Sequence, residues 1–207
     1  MARRNDHSRD EIKALALDAA EALLIEEGVA GVSARKVATR IGYTAGSLYQ
    51  VFANLDDLYW QINLRTLKRL NSALLPRQSL GAAEQLAGLA SDYVMFAKQH
   101  HALWSLLFEH RSASSCSMPE ALSQQIEHLF QEIEVLLARL NPRADSEQVR
   151  CAARAVWGGV HGVAVLTLRD KLFLQQTTAE QAILASLIEN FINGWQQESG
   201  HASTAAY

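Results

Sequence analysis

The sequence predicts an all-α protein, because apolar residues recur at helical spacing along most of the chain and strand-like alternation does not appear. Glycines and N-capping residues mark where the predicted helices end and begin. With 207 residues, 49% of them hydrophobic, the chain is long and apolar enough to bury a full core. These observations predict one compact molecule or two closely packed helical domains.

The first predicted helix begins after Ser8, which has the capping-box spacing to Glu11. Gly28 ends this helix, because glycine tolerates the backbone angles found after a helix C-terminus. The apolar positions of one face are Ile12, Leu15, Ala16, Ala19, Ala20, Leu23 and Leu24. We expect this face to pack against the short helices that follow.

Residues 33–52 contain two short helical patterns with Gly42 between them. Ser33 and Thr44 supply the N-caps, and Gly42 suits a tight turn that requires positive φ. Small residues at the start of the second helix leave it slim enough to enter a DNA major groove, which is about 12 Å wide. The pattern predicts a DNA-binding helix-turn-helix.

The charge distribution agrees with this prediction. The segment contains Arg35, Lys36 and Arg40 and no acidic residue, although the whole chain has a net charge of -3. A local excess of cations favours contact with phosphate. An ordinary solvated helix face is the alternative for the charges alone, but the caps, the turn and the small residues together favour DNA binding.

A linking helix is expected from about Asp56 to Pro76, with Leu58, Ile62 and later leucines facing inward. Further helices are predicted near 82–99, 101–110, 119–140, 146–170 and 178–196. We divide the chain into a helix-turn-helix domain, residues 1–54, and a larger helical domain, residues 55–207.

Two parts of the sequence resemble a known family. Ser33-x-Arg35-x-Val37-Ala38, Gly42-x-Thr44-x-Gly46-x-Leu48-Tyr49 and Phe52 are similar to the N-terminal signature of TetR-type transcriptional regulators. Ala155 to Val163, which contains Trp157, His161 and Gly162, resembles one type of dimerising, ligand-responsive C-terminal domain in that family. The first resemblance extends over roughly residues 8–64.

The resemblance implies a set of DNA contacts. Base edges would be contacted by Tyr43, Thr44, Ala45 and Gln50, and phosphates by Ser33, Arg35, Ser47 and Tyr49. A glutamine can form a bidentate pair with adenine. Thr44 is explained equally well as an N-cap, and Tyr49 as an inward-packing residue.

One position departs from the family pattern. Family members commonly carry a phosphate-binding lysine three positions after the residue matching Phe52, whereas this chain has Leu55. Arg3, Arg4 and Arg9 are candidates to compensate as a basic arm in the minor groove, with a frayed terminus as the alternative.

The last helices suggest self-association, because their apolar stripes are broad and small residues allow a close approach of helices. The predicted homodimer interface comprises Val156, Gly159, Ile183, Leu184, Leu187, Ile188, Phe191 and Trp195. The alternative is that one subunit buries both stripes. DNA binding favours the dimer, because a two-fold axis places recognition helices about 34–36 Å apart on a palindromic site.

Aromatic residues of the middle helices are candidates for a small-molecule effector pocket, although each is also explained as core. These candidates are Tyr93, Phe96, Trp104, Phe108, Phe130, Trp157 and His161. The resemblance implies that effector binding changes the separation of the two DNA-binding heads and releases the operator. Repression is the role expected from the family, with activation as an alternative.

We expect no cofactor, no metal site and no catalytic residue. Cys116 and Cys151 lack metal-ligand spacing, and no nucleophile or phosphate-binding motif is present in the sequence. A helical enzyme and a DNA-bending architectural protein are the weaker alternatives. The apolar run from Ala155 to Leu168 is interrupted by His161, so we expect a buried helix in a cytoplasmic protein and no membrane span.

Overall fold

A computed structural model describes residues 7–74, 77, 79–110, 118–172 and 179–197. Over these ranges the regular secondary structure is helical and includes no strand, which confirms the all-α prediction. The helices are α1 Arg9–Glu27, α2 Ala34–Arg40, α3 Ala45–Leu48, α4 Leu55–Ala73, α5 Ala82–Gln99, α6 His101–Glu109, α7 Glu120–Leu140, α8 Ser146–Leu168 and α9 Ala179–Gln197. A 3-10 turn covers Val29–Gly31.

The ends of the first helices follow the predicted capping chemistry. Ser8 and Glu11 form a complete capping box at the start of α1. Ser33 accepts a hydrogen bond from the Lys36 amide at the start of α2. Gly28 and Gly42 have φ values of 73° and 76°, a region that residues with a Cβ rarely adopt.

By their internal contacts, the described residues fall into two compact units. The first unit takes the chain up to Lys68 together with residues 100–123, and the second takes 69–99 and the chain from Gln124 onward. Helix α6 belongs to the first unit because it packs against α1. The predicted domains, residues 1–54 and 55–207, are defined by function, and this division by packing does not test them.

The core of the first unit is a single apolar cluster built from α1, α2, α3, the start of α4 and α6. Its most deeply buried members include Ala16, Ala20, Val37, Ile62 and Leu106. Burial of such side chains contributes about 1.5–3 kcal/mol each for the larger aliphatic residues. The helix-turn-helix is thereby fixed on a rigid support.

In the second unit, α5 packs against both α8 and α9, and α8 packs against α9. The Trp195 indole N–H donates to the Leu137 carbonyl at 2.9 Å. The Asn141 side-chain amide, through Nδ2, donates to the Trp195 backbone carbonyl at 2.8 Å. Helix α8 is long and apolar enough to cross a membrane by length and composition, a test that core helices of globular proteins also pass. Its buried face includes Val149, Ala153 and Ala164.

The structure corrects some helix limits and leaves other predicted segments untested. Helix α8 ends at Leu168 rather than 170, and Asp170 beyond it has a φ of 54°. Four residues named in the sequence analysis lie outside the described residues: Arg3 and Arg4 of the predicted basic arm, Pro76 and Cys116.

Candidate nucleic-acid interface and ligand cavity

Helix α3 has only 4 residues, and its neighbours hold it in place. Its N-terminus is capped by Thr44, whose Oγ1 accepts from the Ser47 amide at 3.3 Å. Leu48 and Phe52 are each 2% exposed and anchor the helix in the core of the first unit. The N-cap interpretation of Thr44 is confirmed.

The predicted DNA-contacting residues occupy one surface region around α2 and α3. Each is exposed or half-buried: Ser33, Arg35, Tyr43, Thr44, Ala45, Ser47, Tyr49 and Gln50. Tyr49 is 53% exposed, which rules out the inward-packing alternative. Their contacts with DNA stay a prediction.

Two of the three cations in this region are paired. Lys36 binds Glu27, and Arg40 makes a bidentate contact with Glu26 at 2.6 and 2.7 Å. The hydrogen bonds from Arg40 hold the pKa of Glu26 below its ordinary value. The sequence-based expectation of uncompensated positive charge is therefore wrong for Lys36 and Arg40, because folding brings α1 acids beside α2.

Arg35 differs from its two neighbours. Its side chain is exposed, and no hydrogen bond or ion pair joins it to another residue in the described part of the chain. It is thus the best placed of these cations to contact phosphate.

Residues near the N-terminus contact the predicted readers directly. His7 Nδ1 and the Tyr43 hydroxyl are hydrogen-bonded at 2.8 Å, and Arg9 Nη2 donates to the Gln50 carbonyl at 3.1 Å. Arg9 is the first residue of α1, so it is part of a helix and not of a free arm. These contacts position both ends of the α3 region.

His110, at the C-cap of α6, is tied to the start of α4. Its Nε2 lies 3.0 Å from Asp56 Oδ1, and its side chain is only 5% exposed. The Tyr59 and Trp60 rings lie 5.0 and 4.9 Å from the His110 ring. This contact joins the end of α6 to the helix that follows the helix-turn-helix, a link that sequence patterns did not indicate.

The second unit contains a cavity of about 40 Å³, which with its open mouth amounts to about 550 Å³ of atom-free space. Side chains from α5, α7, α8 and α9 form walls that are predominantly apolar, and Asn71 of α4 and the adjacent Leu74 complete the lining. The smaller volume holds two to four water molecules, so a larger ligand requires the walls to move.

An aromatic cluster lies at this cavity. Tyr93 and Trp157 line it, and His161 stacks on Trp157 with ring centroids 5.0 Å apart. The Tyr93 hydroxyl and His161 Nδ1 are hydrogen-bonded at 2.9 Å, and burial lowers the pKa of His161. Phe130 packs edge-on against Trp157 at 5.5 Å.

Among the seven predicted pocket residues, only Tyr93 and Trp157 line this cavity, whereas Phe96, Trp104, Phe108, Phe130 and His161 do not. Trp104 and Phe108 lie on α6 in the first unit, where their rings pack 5.0 Å apart, and Phe96 is a core residue. Their assignment is corrected, since helical periodicity marks buried faces without saying which faces enclose a space. The polar lining residues Asn71, His128 and Glu132 were missed because no sequence pattern distinguishes them from surface polar residues.

Comparison with protein families gives two matches. Residues 86–191 match the family described as "Tetracyclin repressor-like, C-terminal domain", and residues 16–62 match "Bacterial regulatory proteins, tetR family". The first match alone covers half of the chain. The chain belongs to the TetR family of transcriptional regulators. No curated protein matches this TetR-family chain.

Solved structures share the fold at low sequence identity. A protein of unknown function from Rhodococcus sp. RHA1 is 20% identical, with a TM-score of 0.75, covering 95% of this chain and 100% of the other. The regulator FadR from Bacillus subtilis in complex with stearoyl-CoA is 17% identical, with a TM-score of 0.64 and coverages of 87% and 98%. NalD from Pseudomonas aeruginosa, the secondary repressor of a multidrug efflux pump, is 21% identical, with a TM-score of 0.56 and coverages of 87% and 96%.

Leu55, which departs from the TetR-family lysine, has a packing role in this chain. It is half-buried against the core of the first unit. The helix start is secured by Asn54, which accepts from the Asp57 amide at 2.8 Å, and by Asp57, which accepts from the Ala53 amide at 2.9 Å. The substitution therefore exchanges a cation for apolar packing.

The predicted dimer residues divide into two groups. Val156, Leu184, Ile188 and Trp195 are at most 7% exposed within this single chain. Their assignment to a partner surface is corrected, because the chain itself buries that side of each stripe. Gly159, Ile183, Leu187 and Phe191 are half-buried, and a Cβ on Gly159 would come within 3.1 Å of the Leu187 side chain.

A surface groove separates α8 from α9 beside these residues. It is lined by small and polar residues that include Cys151, Ala155 and Gly194, and by two large apolar residues, Phe191 and Trp195. Cys151, Ala155 and Gly194 are exposed. Small side chains at such positions allow another helix to approach closely.

We predict that Arg35→Ala weakens binding to all DNA sequences and reduces the slope of log affinity against log salt by about 1, because one phosphate contact is lost. Arg40→Ala, which removes a cation already paired with Glu26, is the matched control on the same helix and should change the slope less. Fluorescence anisotropy with labelled duplex DNA at several salt concentrations measures both. Equal slopes for Arg35→Ala and the wild type would contradict the assignment.

Proposed function

We propose that this TetR-family regulator is a cytoplasmic, homodimeric repressor that binds a palindromic operator and is released by a small-molecule effector. The observation that carries the proposal is that one helix, α4, begins directly after the helix-turn-helix and lines the apolar cavity near its other end through Asn71. A helix of 19 residues is about 28 Å long and transmits displacement along its axis.

The proposed DNA-binding surface consists of exposed and half-buried residues around α2 and α3. Tyr43, Thr44 and Ala45 stand at the N-terminus of α3, the part of a recognition helix that contacts base edges in helix-turn-helix proteins. Gln50 adds a bidentate donor and acceptor. Arg9 holds the Gln50 carbonyl and thereby supports the position of this side chain.

Phosphate contacts come from the residues that flank these readers. The residues proposed for this role are the exposed Arg35 and Tyr49 and the half-buried Ser33 and Ser47, and all of them lie within the segment that matches the family. Since two nearby cations are paired with Glu26 and Glu27, we infer that affinity depends on few phosphate contacts.

Dimerisation uses the exposed sides of α8 and α9. The groove lined by Cys151, Ala155, Phe191 and Gly194 accepts the same helices of a second copy, and a four-helix interface results. The buried residues Val156, Leu184 and Ile188 pack beneath this surface within the same chain. A two-fold dimer then places two recognition helices on consecutive major grooves of a palindromic site, about 34–36 Å apart.

Release follows from coupling between the cavity and α4. A ligand larger than the present cavity displaces wall residues, which include Asn71 and Leu74 at the end of α4. The His110 contact to Asp56 holds the other end of α4 to α6. A shift of α4 thus alters the position of the helix-turn-helix that precedes it and lowers operator affinity.

The relatives support repression and an apolar ligand. NalD is described as a repressor, and the FadR structure contains stearoyl-CoA, whose acyl chain is apolar. The same DNA-binding surface at another promoter position would serve activation. We infer that the chain acts as a regulator and not as an enzyme, since both of its family matches are to transcriptional regulators.

Selection of the purified protein against a random duplex pool at near-physiological salt tests the proposal. We expect enrichment of an inverted repeat whose half-sites are one helical turn or a multiple of it apart. Sequencing of the retained DNA gives the result. A folded dimer that enriches no sequence would contradict operator binding, and a single half-site would contradict the dimeric geometry.

We predict that Gln50→Ala costs about 1–3 kcal/mol of binding free energy chiefly at one base position of the half-site. Tyr49→Ala is the control, because a lost phosphate contact weakens all sequences alike. Titration of the selected operator and its single-base variants gives the preference. If Gln50→Ala retains both affinity and preference, base readout by Gln50 is wrong.

We predict that Ala155→Glu raises the dimer dissociation constant at least tenfold, because it places a carboxylate in an apolar interface. Gln131→Glu, at an exposed position of α7, adds the same charge outside the groove and should leave the dimer intact. Sedimentation velocity over a concentration series measures the dissociation constants. A dimer of unchanged affinity in Ala155→Glu would place the interface elsewhere.

A further inference from the structure

The cavity contains a hydrogen-bond acceptor whose orientation is fixed by the fold. Asn71 Nδ2 donates to the Gln125 backbone carbonyl at 3.0 Å and to Gln125 Oε1 at 3.1 Å. Because a backbone carbonyl only accepts hydrogen bonds, the amide nitrogen must face Gln125. The amide oxygen therefore faces away from Gln125 and cannot exchange places with the nitrogen.

That oxygen lacks a partner within the described structure. Asn71 lines the cavity, and its Oδ1 is buried without a hydrogen bond to any described residue. A buried acceptor without a donor is unfavourable, and such groups normally pair with protein, water or ligand. The oxygen is therefore available to accept a hydrogen bond from water or from a ligand that carries a donor.

The charge of the lining selects among possible donors. Glu132 supplies a carboxylate, and neither Lys nor Arg is among the lining residues. The nearby Arg154 is engaged elsewhere, since it pairs with Glu134 and lies over the Phe130 ring at 4.2 Å. An anionic ligand would meet the Glu132 carboxylate with no Lys or Arg in the lining and with His128 as the only basic side chain there, whereas a cationic ligand would be stabilised by the carboxylate.

The aromatic walls favour the same kind of ligand. Tyr93 and Trp157 line the cavity, and aromatic faces attract cations that have left water. The Tyr93 hydroxyl is already hydrogen-bonded to His161, which keeps the ring in place. The remaining walls are aliphatic, with Leu86, Leu89 and Ile133 among them, and accommodate an apolar body.

We propose that the cavity binds a lipophilic amine, protonated at neutral pH, whose ammonium donates to Asn71 Oδ1 beside Glu132 while its hydrocarbon part lies between the apolar walls. This inference rests on the proposed function, since it names the chemical class of the effector. The hydrocarbon part displaces water and wall side chains, and the ammonium supplies the donor that Asn71 lacks.

Binding of three probes of equal chain length to the full-length protein tests the proposal. These probes are octylamine, octanol and octanoate, each titrated below its aggregation concentration at pH 7 by isothermal calorimetry without DNA. We expect octylamine to bind at least tenfold more tightly than octanoate and more tightly than octanol. Octanoate or octanol binding as tightly as the amine would overturn the proposal.

Variants locate the binding site. Glu132→Gln and Asn71→Leu should each weaken octylamine binding about tenfold or more, and Glu132→Gln should reduce the preference over octanoate. Glu127→Gln, on the same helix and exposed, is the matched control and should bind like the wild type. Thermal unfolding verifies that each variant is folded, and unchanged amine affinity in a folded Glu132→Gln variant would overturn the assignment.

A separate operator-binding assay distinguishes this inference from the proposed function. Octylamine that binds at the cavity without lowering operator affinity would support the ligand class and contradict effector release. Specific operator binding by a protein that does not bind the amine would overturn the ligand class and leave DNA binding in place.

Discussion

The DNA-binding surface depends on the burial of Leu48 and Phe52, because an α-helix of 4 residues has almost no stability of its own. Helix formation fixes several backbone angles before hydrogen bonds repay the entropy, so α3 exists only as part of the first unit. The Thr44 cap and the hydrogen bond from Arg9 to the Gln50 carbonyl hold its two ends. The N-terminus of α3 is thereby held in place with Gly46 exposed and Thr44 and Ala45 half-buried, and the proposed base recognition depends on such a fixed position.

Ion pairs within the first unit reduce the positive charge near α2. Lys36 and Arg40 of α2 pair with Glu27 and Glu26 of α1, so two of the three cations near the predicted DNA-contacting surface have an acidic partner. Exposed pairs of this kind contribute little to stability and are screened by salt. Their main effect is on recognition, since a surface with fewer free cations binds DNA of any sequence less strongly.

The cavity of the second unit combines apolar walls with a few polar groups. Its apolar walls are close-packed around a small space, while Asn71 and Glu132 keep polar groups at its lining. A close-packed interior does not deform continuously, and the proposed effector release depends on this property, because a ligand larger than the cavity then displaces whole helices. Helix α4 contributes Asn71 to the cavity lining and Asp56 to the contact with His110. The cavity and this contact are therefore connected through one helix.

The sequence by itself determined the helical fold and the cap residues at the first helices, because these follow from local periodicity and from hydrogen bonds within a few residues. It also identified the helix-turn-helix, since Gly42 and the small residues after it act locally. The tertiary structure alone decided that Glu26 and Glu27 neutralise Arg40 and Lys36, that Val156 and Trp195 face inward, and that Trp104 is not at the cavity. Periodicity shows that a helix face is buried, but the partner of that face depends on contacts between residues far apart in the chain.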